Sequence, residues 1–465
     1  MSVINFLGDA WYVRVDEGEP HADALRIASA LGRLVKDRQP EGNVVIGYDS
    51  RPLNAAIALE MGEVVASYRI KARVSDVHCP ASVLNEAVRR DREAVVGVML
   101  TAGNRPADYF GVRICMADGS AATSSDTDLL ESYIVPELPM SRGEVELIDL
   151  VSRYLEEVSS LVDDEVIRAQ SPLVVCDPMY GAQTSIARRL MSSLGARVVE
   201  IHADDAEDFG GIHPMVAEPW IDDCEQAVTA NGASYGIALD GAGERIALVD
   251  EHGNYVNPHK TLSLIMEYLV KVRGLKGRLA APVFVSSIVR RQAERLGLPL
   301  TVTPIGYAWM REEVATGDVV CAGDAVGGVC VPQLGYERDS LAAATLLMDI
   351  FARDGRPVSQ IVADLDTRLG RMEYGRKEVR LGPGEAQMLR VALPGVNPPE
   401  VAGVAVESVS HPAGCLRLGL AGGSWVLVAP SPAAPSALVV AEAPTRGLRD
   451  ALLAGASSLA RSPLG

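Results

Sequence analysis

Aromatic residues are scarce in this chain, 5% of 465 residues, so Ala, Val and Leu must do the packing. Positive charge is short as well: 43 Lys and Arg stand against 61 Asp and Glu, a net charge of −18. That balance argues against nucleic acid and anionic membrane surfaces as partners, because both want basic patches. It also means that any phosphate-binding site must use local arginines to offset the overall field. The seven histidines show no metal-ligand spacing. The seven cysteines are scattered without a CxxC pair, which reads as reduced, buried thiols and a cytoplasmic location. No apolar run is long enough to span a membrane, and no secretory leader is read at the start.

Length and apolar content are what the chain has. With 465 residues, 48% of them hydrophobic, it is too long for one domain, and roughly three or four are expected. Leu25, Ala28, Leu31 and Val35 repeat at helical spacing. A strand over Asn43–Tyr48, a turn at Asp49-Ser50-Arg51-Pro52 and a helix from Leu53 to about Ser67 follow. Val145 to Ala169 reads as a polar helical link. Leu173–Asp177, a helix from Ile186 to Leu194 and a strand Arg197–His202 make a βαβ unit. Tyr235–Asp240 and Arg245–Asp250 read as strands, with a turn at His252-Gly253. The α/β pattern restarts with a helix from Leu262 to Val272, strand Leu279–Val285, helix Ile288–Leu296 and strand Leu300–Thr303. From about Glu378 short strands alternate with Gly/Pro turns, and one Ala/Leu-rich helix closes the chain.

The organising stretch runs from Ala94 to Ile114. AVVGVML is a short buried strand, TAGNRPADY a polar loop, and Phe110 to Met116 a returning strand. A polar loop at the end of a buried strand is where an α/β fold places chemistry. Thr101, Asn104, Arg105 and Asp108 are there, but the tip is Gly103, and no Ser, Cys, Lys or His accompanies it.

This stretch resembles the active-site loop of the α-D-phosphohexomutases, the phosphoglucomutase/phosphomannomutase family, which typically reads Thr-Ala-Ser-His-Asn-Pro. Thr101, Ala102 and Pro106 match; Gly103 stands in place of the phosphate-carrying serine, and Asn104 and Arg105 replace the histidine and asparagine. Gly47, Asp49 and Arg51 resemble the family's Gly-x-Asp-x-Arg turn, and Asp208-Phe209-Gly210-Gly211 with His213-Pro214 its Asp-Phe-Gly-Gly-x-His-Pro. The resemblance implies four domains: three similar α/β domains with mixed sheets, over 1–144, 145–256 and 257–372, and a smaller α+β domain over 373–465.

It also implies four chemical loops, and each is altered. A covalent phosphoryl relay needs an oxygen, sulfur or nitrogen nucleophile, which Gly103 lacks; Thr101 is the neighbouring hydroxyl, and Arg113 lies on the returning strand. The family's magnesium loop, Asp-Gly-Asp-x-Asp-Arg, is here Asp240-Gly241-Ala242-Gly243-Glu244-Arg245, with Ala242 in place of one carboxylate. Asp240 and Glu244 are left as a weak magnesium site at best. The sugar loop Gly-Glu-x-Ser-Gly becomes Gly323-Asp324-Ala325-Val326-Gly327, so Asp324 and Val326 replace a carboxylate and a hydroxyl. The phosphate loop Arg-Pro-Ser-Gly-Thr-Glu-Pro becomes Ala429-Pro430-Ser431-Pro432-Ala433-Ala434-Pro435. Ser431 remains, while the arginine is lost and Pro432 removes a backbone donor. Each charge-assisted bond of such a clamp contributes about 1.5–3 kcal/mol.

Fold-building turns survive and catalytic loops do not, which points to a pseudoenzyme with a binding or regulatory role in sugar-phosphate metabolism. Arg51, Arg113, Arg245 and Asp324 are expected to line a cleft for a small polar or sugar-phosphate ligand, and an active mutase is a possible protein partner. Two other readings stay open: an enzyme with a different reaction built around Asp240, Glu244, Asp324 and Arg113, and a divergent working mutase using Thr101.

Overall fold

The computed structural model describes residues 4–204, 206, 208–431 and 434–462. The chain forms two compact units, Met1–Tyr268 with Val326–Ile361, and Leu269–Ala325 with Val362–Gly465.

In the first unit, six strands form one sheet: Ala10–Arg14 (β1), Asn43–Tyr48 (β2), Lys71–Ser75 (β3), Ala94–Leu100 (β4), Tyr109–Met116 (β5) and Glu146–Ile148 (β6). Their order is β1-β5-β4-β2-β3-β6. β4, β2, β3 and β6 pair in parallel, while β5 pairs antiparallel with β4 and β1. The central β2 is apolar almost throughout because helices cover both faces, as parallel strands require. Helices Pro20–Arg38 and Asn54–Ala66 bring Ile27, Leu31, Ile57 and Met61 into one cluster with Val44 and Ile46. On the other face Gly47 lies against Cys79 and Leu84.

A second sheet holds Leu173–Asp177 (β7), Arg197–Glu200 (β8), Tyr235–Leu239 (β9), Ile246–Val249 (β10) and Tyr255–Val256 (β11), ordered β11-β10-β9-β7-β8. β7 pairs in parallel with β8 across the expected helical crossover, Ile186–Ser193. β10 pairs antiparallel with β9 and, across the expected turn at His252-Gly253, with β11.

The second unit contains parallel strands Arg278–Pro282 (β12), Leu300–Thr303 (β13) and Val319–Gly323 (β14), with β12 between the others. The short strand Val329–Cys330 (β15) belongs to the first unit. Back in the second unit, Glu373–Arg380 (β16), Glu400–Val401 (β17), Val404–Ser410 (β18), Leu416–Leu420 (β19), Trp425–Pro430 (β20) and Ser436–Ala443 (β21) form an antiparallel sheet ordered β16-β21-β20-β19-β18-β17. Its core takes Val426, Val428, Val439 and Ala441 together with Leu452, Ala456 and Ala460 of helix Arg446–Arg461. The architecture is thus three α/β segments with a smaller α+β segment at the C-terminal end.

Three local expectations need correction. The stretch 145–169 is not one helical link: Glu146–Ile148 is a strand that extends the first sheet beside β3, and two short helices, Val151–Ser159 and Asp164–Gln170, follow. Glu146 pairs with Lys71 and Arg73 across the strands. The strand expected over 279–285 ends at Pro282. The eight-residue β16 escapes a sequence reading because EYGRKEVR is polar; it is an edge strand, where charged side chains are tolerated and discourage further pairing. All seven cysteines are buried and free, and among the described residues no helix is long and apolar enough to cross a membrane.

One glycine holds the second sheet in register with the returning segment. Gly327, at φ +91, accepts a hydrogen bond from the Ile246 N–H at 3.0 Å, and a Cβ there would lie 2.2 Å from the Ile246 carbonyl oxygen. Gly327→Ala should therefore destabilise the fold by about 2 kcal/mol or more, from backbone strain and the clash together. Thermal melting by circular dichroism checks this; an unchanged Tm would show that the close approach is relaxed in solution.

Candidate functional site

The loop 101–108 is built around Arg51. The turn after β2 buries this side chain, and its five N–H groups all meet protein oxygens. Nε donates to Asp49 Oδ2 at 3.3 Å, Nη1 to the carbonyls of Pro106 at 2.8 Å and Tyr109 at 3.3 Å, and Nη2 to those of Gly103 at 3.0 Å and Arg105 at 2.7 Å. Asn54 holds the other Asp49 oxygen at 2.7 Å. The expectation that Arg51 binds a substrate is therefore corrected: it shapes the loop and has no donor left for a ligand. Its guanidinium also lies 4.9 Å from the Phe209 ring.

Thr101 is buried, and its Oγ1 accepts the Gly103 N–H at 3.0 Å. Gly103 itself adopts φ +63, and a Cβ built there meets nothing within 4 Å. A serine would have space, at a left-handed backbone cost of about 1–2 kcal/mol. Asn104 is half-buried beside it. Arg105 stacks on Tyr12 at 3.6 Å, and Asp108 pairs with Arg14 at 3.3 Å.

The turn after β9 is closed by Asp240. Its Oδ1 accepts the N–H groups of Glu244 at 2.7 Å and Arg245 at 3.1 Å, and its Oδ2 faces Arg245 Nη1 at 3.3 Å. Ala242 is buried in this turn. Glu244 receives Arg113 Nη1 on Oε1 at 2.7 Å and Arg338 Nη2 on Oε2. Arg113 Nε in turn donates to Asp9 Oδ2 at 2.9 Å. Burial by itself would raise the Glu244 carboxyl, but Arg338, Arg113 and Arg245 outweigh it and bring the pKa down to about 2. Burial dominates at Asp240 and raises it, with Arg245 acting in the opposite direction. Burial also raises the Tyr12 hydroxyl, against the charges of Arg113 and Arg105.

These residues do not fit a magnesium ion. Magnesium needs near-octahedral oxygen ligation, whereas both Glu244 oxygens accept guanidinium donors and both Asp240 oxygens accept N–H donors. The carboxylates of Asp9, Asp240 and Glu244 are matched by the guanidiniums of Arg113, Arg245 and Arg338. Among the described residues no group of three or more His, Cys, Asp and Glu is arranged to hold a metal. The weak magnesium site expected from Asp240 and Glu244 is thus replaced by an ion-pair network. Arg113, expected near the catalytic positions, is a member of that network. Asp9 and Arg338 were not read from the sequence; they lie far from the turn in sequence and only pairing across the fold identifies them.

In the second unit, Asp324 is buried directly after β14; Val326 follows at the start of the returning segment of the first unit. Ser431 directly follows β20: its N–H donates to the Ser436 carbonyl at 2.9 Å, its Oγ accepts the Ala434 N–H at 3.1 Å, and its carbonyl accepts Arg390 Nη2 at 2.8 Å. Pro432 and Ala433 lie outside the described residues. Ser431 borders a cavity of about 480 Å³ with Ile305, Arg376, Lys377, Glu378 and Ser436. Arg376 and Lys377 are exposed cations on β16, which the sequence reading missed along with the strand.

Comparisons with known proteins follow the same outline. Models of the phosphoglucomutase/phosphomannomutase alpha/beta/alpha domains I, II and III match residues 12–137, 152–253 and 257–368. A phosphoglucomutase/phosphomannomutase of Thermococcus kodakarensis is 26% identical over 355 residues, 74% of this chain and 76% of its own. A probable phosphoglucosamine mutase of Methanocella arvoryzae is 27% identical over 455 residues, 94% of this chain and 93% of its own. A solved structure from Thermus thermophilus, provisionally described as a phosphomannomutase, superposes with TM-score 0.85 at 25% identity, covering 98% of this chain and 99% of that one.

The network makes two measurements informative. Glu244 has its folded-state pKa lowered from the ordinary 4.5 to about 2, so its stabilisation is present in full above the unfolded value and is lost as pH falls through the folded one. Glu244→Gln should lower Tm most above pH 4.5, and the gap to wild type should close as pH approaches 2; a gap independent of pH would contradict the pairing. Millimolar magnesium should leave Tm unchanged, because a ligand stabilises only a state that it binds. A saturable rise in Tm with magnesium would mean that the guanidiniums give way to the ion.

Proposed function

The chain belongs to the α-D-phosphohexomutase family, and we propose that it is a pseudoenzyme of that family, binding a small phosphorylated sugar without interconverting it. Gly103 carries this reading. It stands at the tip of the loop that holds the nucleophile in the family, and it offers no atom to accept a phosphoryl group. The neighbouring hydroxyl does not stand in for it: Thr101 is buried, and its oxygen is engaged with the Gly103 N–H.

Two further features support the reading. Electrostatic stabilisation of phosphoryl transfer needs positive charge free to meet charge that develops in the transition state. Arg113 and Arg338 are instead tied to Glu244, and Arg113 also to Asp9, so that two carboxylates balance the two guanidiniums in the resting protein. Ala429, buried at the position of the family's clamping arginine, has no charge to hold a phosphate. Arg376 and Lys377, at the cavity beside Ser431, supply cations of their own for the non-reacting phosphate. The relatives named above are mutases of phosphorylated sugars, so the same ligand class is proposed here, with regulation of such a ligand's use as the role.

The test is direct. Glucose 1-phosphate with catalytic glucose 1,6-bisphosphate should yield no glucose 6-phosphate, and intact-mass analysis should find no phosphorylated chain. Gly103→Ser alone should not restore turnover, since the charge placement around Glu244 is unchanged and such losses act on one transition state. Wild-type turnover at an ordinary rate, on the order of 1–1000 per second, would overturn the proposal and direct attention to Thr101.

A further inference from the structure

His202 lies two residues beyond β8 and stands between two carboxylates. Its Nδ1 is 3.0 Å from Oδ1 of Asp177, the last residue of β7. Its Nε2 is 3.2 Å from Oδ2 of Asp223, in the first turn of the helix Asp222–Asn231. A neutral imidazole carries a single N–H, so it can donate to one of these oxygens and must turn a lone pair on the other. The imidazolium donates to both. The two contacts together fit only the charged ring.

The surroundings favour that charge. Asp177 is fully buried; its Oδ1 also accepts the Met179 N–H at 2.9 Å, and its Oδ2 is buried without a donor. Among the described residues His202 is the only cationic side chain paired with it. The Tyr180 ring stacks on the imidazole, with centroids 4.9 Å apart. Burial raises the Tyr180 hydroxyl, and Asp177, Asp204, Asp223 and Asp208 raise it further, so the charged groups gathered here are acidic. On the β8 side the Glu200 carboxylate is turned to the Ser185 N–H at 3.1 Å, with Arg188 acting on it. The bond to Asp177 raises His202 above its ordinary 6.5; burial opposes, and the charges of Asp177 and Asp223 add to the rise.

The backbone at this place is held in an unusual conformation. Met179, Tyr180 and His202 have φ of +50, +56 and +48, and such strain persists only where the surrounding contacts fix it. The Tyr180 N–H donates to the His202 carbonyl at 2.8 Å, and the Tyr180 carbonyl accepts the Ser50 hydroxyl at 2.9 Å. Ser50 belongs to the turn that buries Arg51, so His202 adjoins the support of the loop 101–108.

We infer that His202 is a pH-sensitive clasp: as imidazolium it ties the first turn of the helix Asp222–Asn231 to the ends of β7 and β8, and on losing its proton to solvent it keeps Asp177 and releases Asp223. In the neutral ring the one N–H stays at Nδ1, on the buried carboxylate that has no water to turn to. The Nε2 lone pair then faces the Asp223 carboxylate and repels it. Asp223 is 62% exposed and can be solvated instead. The clasp stands independently of whether the chain has mutase activity.

Titration of the full-length protein between about pH 5 and 9, followed by NMR of the imidazole Cε1–H signals, tests this. His202→Asn assigns the signal, and asparagine tolerates a left-handed backbone, so this variant should fold. The His202 midpoint should lie above 6.5, and Asp223→Asn, at an exposed position, should lower it. Trp220 precedes Asp223 by three residues; its emission, taken as the difference from Trp220→Phe, should step at the His202 midpoint. That step should vanish in both His202→Asn and Asp223→Asn. A step below 6.5 belongs to His213, which lies edge-on to Trp220 at 6.1 Å and is lowered by burial; it should persist in both variants. Because the folded-state pKa is raised, the Tm gap between wild type and His202→Asn should be widest below pH 6.5 and close as pH rises through the midpoint. A midpoint at or below 6.5, an Asp223→Asn midpoint equal to that of wild type, or Trp220 emission that does not follow the His202 titration would each overturn the clasp.

Discussion

A carboxylate taken out of water must be met by fixed charge or surrender its proton. Glu244 is met twice, by Arg113 from the first sheet and by Arg338 from the segment that returns to the first unit. Arg113 is in turn held by Asp9, and Asp240 closes the turn on which Glu244 sits. The network therefore ties together stretches separated by more than two hundred residues of chain. Removing one partner would leave a buried charge uncompensated, which costs about 3–5 kcal/mol.

The same principle bears on the proposed loss of mutase chemistry. A site that handles phosphoryl groups needs cations whose charge is available and a nucleophile that projects from its loop. Here the cations of the first unit are spent internally: Arg51 on four loop carbonyls and Asp49, Arg113 and Arg338 on Glu244. The loop keeps its shape because Arg51 holds its backbone, which does not depend on the side chain at position 103. Shape and reactivity are carried by different atoms, so one can persist without the other.

Much of the architecture was legible in advance because burial on both faces leaves a plain signature. The runs Asn43–Tyr48, Ala94–Leu100 and Leu173–Asp177 coincide with strands, each flanked by helical periodicity or turn residues. The polar edge strand Glu373–Arg380 gave no such signature, since an edge strand has no need of apolar alternation to be held by its neighbour. Glu146–Ile148 was obscured for a similar reason: its pairing rests on β3 and on ion pairs with Lys71 and Arg73, not on its own pattern.

The linear order of residues by itself determined the family, the succession of α/β segments with an α+β end, and the absence of a nucleophilic side chain at position 103. Those are properties of local pattern and residue identity. Which arginine serves the loop and which serves a carboxylate was decided only by tertiary structure. Arg51 and Arg113 look alike in sequence, each a cation near a polar turn, yet one is consumed by backbone carbonyls and the other by Asp9 and Glu244. A guanidinium reaches several ångströms from its backbone, so its partners are chosen by whatever the fold brings within that reach, and sequence spacing carries no record of the choice.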